Sequence, residues 1–190
     1  MSSVTDKQQL LERLRESEQA FLAAINVSEE AAAVSPAEGR WSILQITEHM
    51  ALAESGVVKR LQEAPANDNP ADINPPDIAA DHAADQLILT IAVDRSSPRN
   101  APERLYPAGR FQSLSEARTE LQRRRRENVA FIASNSEDLR KKWIKHPLRE
   151  MDGHQLVLLL CQHMHRHISQ IDEIKKSAAF RAVSNQKAAS

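Results

Sequence analysis

Length, composition and charge restrict the classes of protein to which this chain can belong. The 190 residues suffice for one domain with a substantial core, and the formal net charge of -1 does not indicate a nucleic-acid-binding surface. One cysteine excludes an intrachain disulfide framework and is typical of a reducing compartment. The N-terminus lacks the apolar segment of a signal peptide, and the longest apolar run, 156–161, is too short to span a membrane. We therefore expect a cytoplasmic protein without a nucleic-acid or membrane partner.

Helix-forming residues dominate the sequence, and apolar residues recur at helical spacing in four long segments. The segments are 7–25, 42–64, 113–133 and 153–176. Two irregular stretches, 65–81 and 96–110, flank a short predicted helix at 83–94. The sequence predicts an all-α fold, a four-helix bundle with long connecting loops. We expect this bundle to form a single domain over 1–176, followed by a flexible tail over 177–190. A loop as long as 65–81 is typical of a lid over a site.

Three polar residues indicate where the later helices begin. Ser42-Ile-Leu-Gln45 and Ser113-Leu-Ser-Glu116 each predict a capping box. In a capping box, the side chain of the first residue accepts a hydrogen bond from the backbone N–H of the fourth. The side chain of the fourth residue accepts one from the backbone N–H of the first. Asp152 is the predicted N-cap of the last helix.

Two histidines in the last helix are the strongest functional signal. His163 and His167 are four residues apart, so both imidazoles project from one helix face, one turn apart. That face is the apolar stripe of the helix, where an unpaired imidazole costs roughly 1–3 kcal/mol. A shared metal ion would satisfy both rings, and a catalytic metal usually has three protein ligands.

His49 is the predicted third ligand, because it lies on or beside the buried face of the second helix. The four other histidines are poorer candidates: His165 faces away from the apolar stripe, His154 is too near the helix start, and His82 and His146 lie in loops. The alternative is that all three chosen histidines are hydrogen-bonded packing residues. Three neutral imidazoles suit Zn, Ni, Fe or Cu, so the spacing leaves the metal open.

Two motifs resemble signatures of the DinB/YfiT-like family. The first is Gly39-Arg-Trp41-Ser42-Ile-Leu-Gln-Ile-Thr-Glu-His49. The second is Met151-Asp-Gly-His-Gln, followed by His163-Met-His-Arg166-His167-Ile-Ser-Gln170-Ile171. The resemblance extends over about 7–175, and the chain departs from the family pattern in the 65–81 loop.

The resemblance implies an up-down-down-up four-helix bundle, often dimeric. It also implies a metal held by one histidine of the second helix and two of the fourth, and we expect one divalent ion, Zn, Ni or Fe. Those positions match His49, His163 and His167. Characterised members include thiol-dependent S-transferases and a mycothiol-dependent isomerase. The expected partners are therefore a small-molecule thiol, an electrophilic substrate and a second copy of the chain.

Several other residues have plain structural interpretations. Arg123 to Arg126 predict a solvated face paired with Glu120 and Glu127, with at least one arginine turned inward or sideways. Trp41 is expected to anchor a helix entry, and Cys161 to be a small core residue. Gln170 either bonds a nitrogen of a metal-binding histidine or bridges two helices. Glu48 and Glu54 share the face of His49 poorly.

The leading hypothesis is a metal-dependent enzyme. A bound metal lowers the pKa of a thiol or a water molecule. Attack by the thiolate would transfer its sulfur to an electrophilic substrate, whereas attack by hydroxide would hydrolyse the substrate. The resemblance favours S-transfer, and hydrolysis is the alternative. Two other hypotheses have no turnover: a metal-binding stress-response module, and a structural dimer whose histidines belong to the core.

Overall fold

The computed structural model describes residues 2–65, 82–93 and 101–188, and most of these residues are helical. The helices are α1 (Ser2–Ala24), α2 (Glu29–Ala32), α3 (Ile43–Glu54), α4 (Val57–Glu63), α5 (His82–Val93), α6 (Leu114–Ser134), α7 (Gly153–Lys176) and α8 (Ala178–Ala188). Single 3-10 turns lie at Glu103–Leu105 and Leu139–Lys141. One short antiparallel ladder joins β1 (Trp143–Ile144) to β2 (Met151–Asp152). The predicted all-α bundle is confirmed.

Helix α1 and the joined helices α3–α4 pack with α6 and α7 to form the bundle. Helices α1 and α6 are antiparallel, because Lys7 Nζ donates to the carbonyl of Ala133. Farther along α1, the carbonyl of Leu14 accepts from Arg125 Nη1. Helices α3 and α6 run in the same direction, since Glu48 contacts the chain just before α6 and Glu54 contacts its middle.

Helix α7 runs opposite to α3–α4. Its middle residue His163 meets His49 of α3, whereas its first residue Gly153 packs against Leu61 of α4. A Cβ at Gly153 would lie 2.9 Å from both the Leu61 side chain and the Leu139 carbonyl oxygen, so only glycine fits there without displacement. The order of directions is therefore up-down-down-up, as the family resemblance implied.

The structure divides the second predicted helix into two. Helix α3 ends at Glu54 and α4 begins at Val57, with Gly56 between them. The Ser55 hydroxyl and backbone N–H both donate to the Leu52 carbonyl, and this three-residue spacing ends the α-helical pattern. Val57 is nevertheless buried, so the apolar face continues past the break.

Two of the three predicted caps have the expected form. Reciprocal capping boxes join Ser42 to Gln45 and Asp152 to Gln155. Ser113 does accept from the Glu116 backbone N–H, but the Glu116 carboxylate accepts from the Gln112 N–H at 2.8 Å instead of closing the predicted box.

Most of the segment predicted as a flexible tail is helical in the structure. Helix α8 occupies Ala178–Ala188, and its Phe180 is 8% exposed, within an apolar cluster that includes Ile174. The predicted helix 83–94 corresponds to α5, although Asp94 lies outside the described residues. The predicted 65–81 lid also lies outside them, except for Pro65. Within the described ranges, no helix combines the length and apolarity that crossing a membrane requires.

A buried ionic network fills the middle of the bundle. Arg125 has no exposed surface and donates to the Glu54 carboxylate, to the Leu14 carbonyl and to the Ser17 hydroxyl. Asn128 Nδ2 donates to the same carboxylate at 2.6 Å. Arg125 is therefore the arginine of the basic run that turns inward.

Candidate metal centre

Three histidines from two helices converge at one point in the structure. His163 Nε2 lies 3.2 Å from His49 Nε2 and 2.9 Å from His167 Nε2. The three rings offer one ligand atom each, all within 4.8 Å of one another. His49 and His167 are buried, whereas His163 is partly exposed. The structure thus brings together the three residues that the sequence selected.

The helices explain how this convergence arises. His163 and His167 lie one turn apart on α7, so their ring centroids are 4.5 Å apart. His49 lies on α3, which crosses α7 at this level and is tied to the bundle by buried neighbours such as Ile46 and Met50. Rigid helices carry all three rings, which favours a fixed arrangement of their nitrogens.

The outer nitrogens of two rings are held by hydrogen bonds. His49 Nδ1 donates to the Leu105 carbonyl oxygen at 2.8 Å, and His167 Nδ1 donates to Gln170 Oε1 at 2.6 Å. A neutral imidazole that donates from Nδ1 has a lone pair at Nε2. Both lone pairs therefore point into the cluster. Gln170 therefore bonds an imidazole nitrogen of one of the predicted ligands.

This donor set fits a metal ion better than it fits a hydrogen-bonded cluster. Two lone pairs face His163 Nε2, which can carry only one proton in the neutral ring, so at most one of the two contacts is a simple hydrogen bond. Imidazole nitrogens around a tetrahedral zinc lie roughly 3.3 Å apart, given Zn–N distances of about 2.0–2.1 Å. The observed separations of 3.2 and 2.9 Å are close to that spacing.

The electrostatic environment favours the neutral form of His49 and His163. Desolvation lowers the pKa of His49, although its bond to the Leu105 carbonyl opposes the change. Desolvation also lowers the pKa of His163 well below its usual range, and the neighbouring His167 and His49 lower it further. Neutral imidazole is the form that binds metal, so protons compete weakly for these nitrogens at neutral pH.

Two aromatic residues border the cluster. The Trp41 ring centroid lies 5.1 Å from that of His49 and 5.4 Å from that of Tyr106. Trp41 therefore packs beside the helix entry, as predicted, and also restrains the His49 ring. Tyr106 is 52% exposed, so this edge of the site lies at the protein surface.

Glu48 is a supporting residue that the sequence analysis missed. Its carboxylate is 1% exposed and accepts from the backbone N–H groups of Ala108, Gly109 and Arg110, and from the Arg110 guanidinium. Arg110 Nη1 also donates to the Tyr106 carbonyl, next to Leu105. Glu48 thus fixes the segment that orients His49. Gly109 has a φ of +73°, which other residues rarely adopt, so glycine is required in this turn.

We predict that Glu48→Gln weakens metal binding by about 10–100-fold, the usual loss when a partner of a ligand is removed. The glutamine side chain presents an NH₂ group to the backbone N–H donors of the 108–110 segment, where the carboxylate presented a second acceptor oxygen. These donors then share one oxygen, so the segment carrying Leu105 loosens. Chelator competition measures the affinity. Glu116→Gln is the matched control, because it alters an exposed bond to Gln112 in the same region. Equal affinities in both variants and the parent would contradict this role.

The other sequence candidates lie away from the centre. His165 is exposed, and Arg123 and Arg124 pair with Glu120 and Glu127 on the solvated face of α6, as predicted. His154 is buried beside Asp85, near the start of α7. Cys161 is buried and apart from the histidine cluster.

Comparisons with known proteins agree with the four-helix fold. A family model described as the DinB superfamily matches residues 10–171. A Bacillus subtilis (strain 168) protein called "Uncharacterized protein YuaE" is 29% identical over 155 residues, covering 79% of this chain and 86% of YuaE. The solved structure of YfiT from Bacillus subtilis matches with a TM-score of 0.56 and 16% identity, covering 90% of this chain and 86% of YfiT. YfiT is described as "a probable metal-dependent hydrolase with an unusual four-helix bundle topology". At that identity, the likeness is evidence for the fold alone.

Proposed function

The chain belongs to the DinB superfamily, and we propose that it is a metal-dependent enzyme in which His49, His163 and His167 hold one divalent ion. The observation that carries this proposal is the convergence of three Nε2 atoms, with two of the rings held through Nδ1. Hydrogen bonds to the outer nitrogens of metal-bound histidines are the usual support of such sites.

A divalent ion at three imidazoles supplies Lewis acidity, which lowers the pKa of a thiol or water at a remaining position. The chain's own residues would prepare this chemistry. Leu105 and Gln170 keep His49 and His167 in the Nδ1–H form. The partial exposure of His163 gives a substrate access to the cluster.

We favour S-transfer as the reaction, in keeping with the resemblance to thiol-dependent relatives. The sulfur of a small-molecule thiolate would form a bond to an electrophilic carbon, the leaving group would depart with its electron pair, and the thiol proton would pass to solvent. The nucleophile would be external, because Cys161 is 2% exposed and burial raises the pKa of its thiol.

Hydrolysis is the second candidate, supported by the description of YfiT. Water would replace the thiol as the nucleophile, and the same three histidines would be required.

We further propose a cytoplasmic homodimer. Light scattering of the purified protein would test whether the chain is a dimer. The single buried cysteine is in keeping with a reducing compartment.

Turnover by metal-loaded protein tests the proposal. A low-molecular-weight thiol with 1-chloro-2,4-dinitrobenzene reports S-transfer, and p-nitrophenyl acetate without thiol reports hydrolysis. We expect one rate to rise with metal and to return to background after chelation or in His163→Ala. Stoichiometric metal without turnover across a wider substrate panel would favour the metal-binding module. A rate that is unchanged by chelation and by the substitution would contradict the proposal.

A further inference from the structure

Three basic side chains from separate elements lie near one another, beside the candidate metal centre. They are Arg60 of α4, Arg104 of the 3-10 turn and His146 of the loop after β1, which we call the basic cluster. Arg104 directly precedes Leu105, whose carbonyl oxygen accepts from His49 Nδ1. The cluster therefore adjoins the segment that orients a proposed metal ligand.

Hydrogen bonds define two members of the basic cluster. Arg60 Nη2 donates to the Lys145 carbonyl oxygen at 3.2 Å, which places the guanidinium beside His146. His146 Nδ1 accepts from the Leu148 backbone N–H at 3.2 Å. A neutral His146 that accepts at Nδ1 carries its proton on Nε2, so the opposite side of its ring is a hydrogen-bond donor.

The charges of the basic cluster act on one another and on the metal centre. The pKa of Arg60 is lowered by desolvation and by the charge of Arg104. Desolvation, Arg60 and Arg104 together lower the pKa of His146 to about 4. His146 is also among the groups that lower the pKa of His163. The guanidinium charges of Arg60 and Arg104 are thus held near each other, beside a neutral His146.

Among the described residues, Arg60 and Arg104 lack acidic partners of the kind that Arg110, Arg125 and Arg140 have. Arg125 pairs with Glu54, Arg110 with Glu48, and Arg140 with Asp85 and Asp152. Within 2–65, 82–93 and 101–188, no carboxylate lies within 4.0 Å of the guanidinium of Arg60 or Arg104. A divalent ion in the neighbouring centre would add further positive charge. An anion at this position would relieve the repulsion and receive donors from three side chains.

We propose that the basic cluster binds a carboxylate or phosphate group of the substrate, whose reacting group then reaches the three histidines. This inference rests on the proposed function, because it assigns a substrate class to that centre. Arg60 and Arg104 would pair with the anion through charge-assisted bonds, and His146 Nε2–H would donate to it. Specificity would follow, since an uncharged analogue leaves two neighbouring guanidinium groups uncompensated.

Inorganic phosphate is the probe, titrated calorimetrically at low ionic strength into the full chain, both chelator-treated and metal-loaded. The chelator-treated protein isolates the basic cluster from direct phosphate–metal contact. We expect binding to the parent and at least about tenfold weaker binding in Arg60→Gln/Arg104→Gln. Arg104→Gln alone changes only an exposed residue and should weaken binding in a protein that folds normally. Arg104→Lys, which keeps the charge, should retain part of the affinity.

Arg118→Gln/Arg181→Gln is the matched control, because it removes two exposed charges elsewhere and changes the net charge equally. It should bind phosphate like the parent. Failure of the chelator-treated parent to bind phosphate, or equal binding by parent and Arg104→Gln, would overturn the inference. Metal content is measured on the same samples. Phosphate binding without metal binding would contradict the proposed function alone, whereas metal-dependent turnover with undiminished phosphate binding in the variants would contradict this inference alone.

Discussion

His163→Ala is expected to abolish stoichiometric metal binding while leaving the fold intact. His163 Nε2 lies between the Nε2 atoms of His49 and His167, so its removal leaves two lone pairs with no third ligand. The loss should exceed the roughly 10–100-fold effect of removing a supporting partner. Metal analysis of tag-free protein, with chelator competition for the affinity, measures the change. Metal-dependent stabilisation against heat should disappear in the same variant.

His165→Ala is the matched control, because it removes an exposed imidazole two residues away on the same helix. It should retain the metal content and affinity of the parent. If His163→Ala bound metal as tightly as His165→Ala, the assignment of the three histidines as one metal site would be wrong, and they would be packing residues.

Glu54→Ala should destabilise the protein by about 3–5 kcal/mol, the range found when one member of a buried ion pair is removed. Arg125 has no exposed surface, and the substitution leaves its guanidinium without a buried counter-charge. Asn128 Nδ2 loses its carboxylate acceptor at the same time and keeps its bond to the Glu54 backbone carbonyl. Urea denaturation measures the change in the free energy of unfolding.

Glu120→Ala provides the comparison on the surface. Glu120 pairs with Arg123 and Arg124 on α6, where solvent screens the charges, so we expect a cost of about 1 kcal/mol or less. The double variant Glu54→Leu/Arg125→Met removes both buried charges and should recover part of the stability lost in Glu54→Ala. Similar losses in Glu54→Ala and Glu120→Ala would contradict the role assigned to the buried network.

The sequence was most informative where helical periodicity determines position. The Asp152 cap and the three-and-four spacing of apolar residues predicted the last helix at about 153–176, and the structure has α7 at Gly153–Lys176. The same periodicity placed His163 and His167 on one face and turned His165 to solvent, as the structure shows. The direction of the helices followed from the resemblance, not from the periodicity.

Long-range contacts through backbone atoms could not be predicted in the same way. His49 is oriented by the carbonyl oxygen of Leu105, and a carbonyl gives no signal in the sequence because every residue has one. Glu48 was set aside because it shares the face of His49 poorly. Its role depends on the 106–110 segment folding back onto α3. The sequence did not predict helix α8, because the segment is mostly small and polar and only Phe180 and Val183 pack against the apolar cluster among its described side chains.

X-ray absorption spectroscopy of metal-replete, tag-free protein tests the central claim most directly, because it counts the ligands around the ion. We predict one divalent ion per chain with three imidazole ligands in the parent, and the same signal in His165→Ala. His163→Ala should lose the ion. A parent that binds no metal, or a metal signal without imidazole ligands, would contradict the assignment of His49, His163 and His167 as one metal centre.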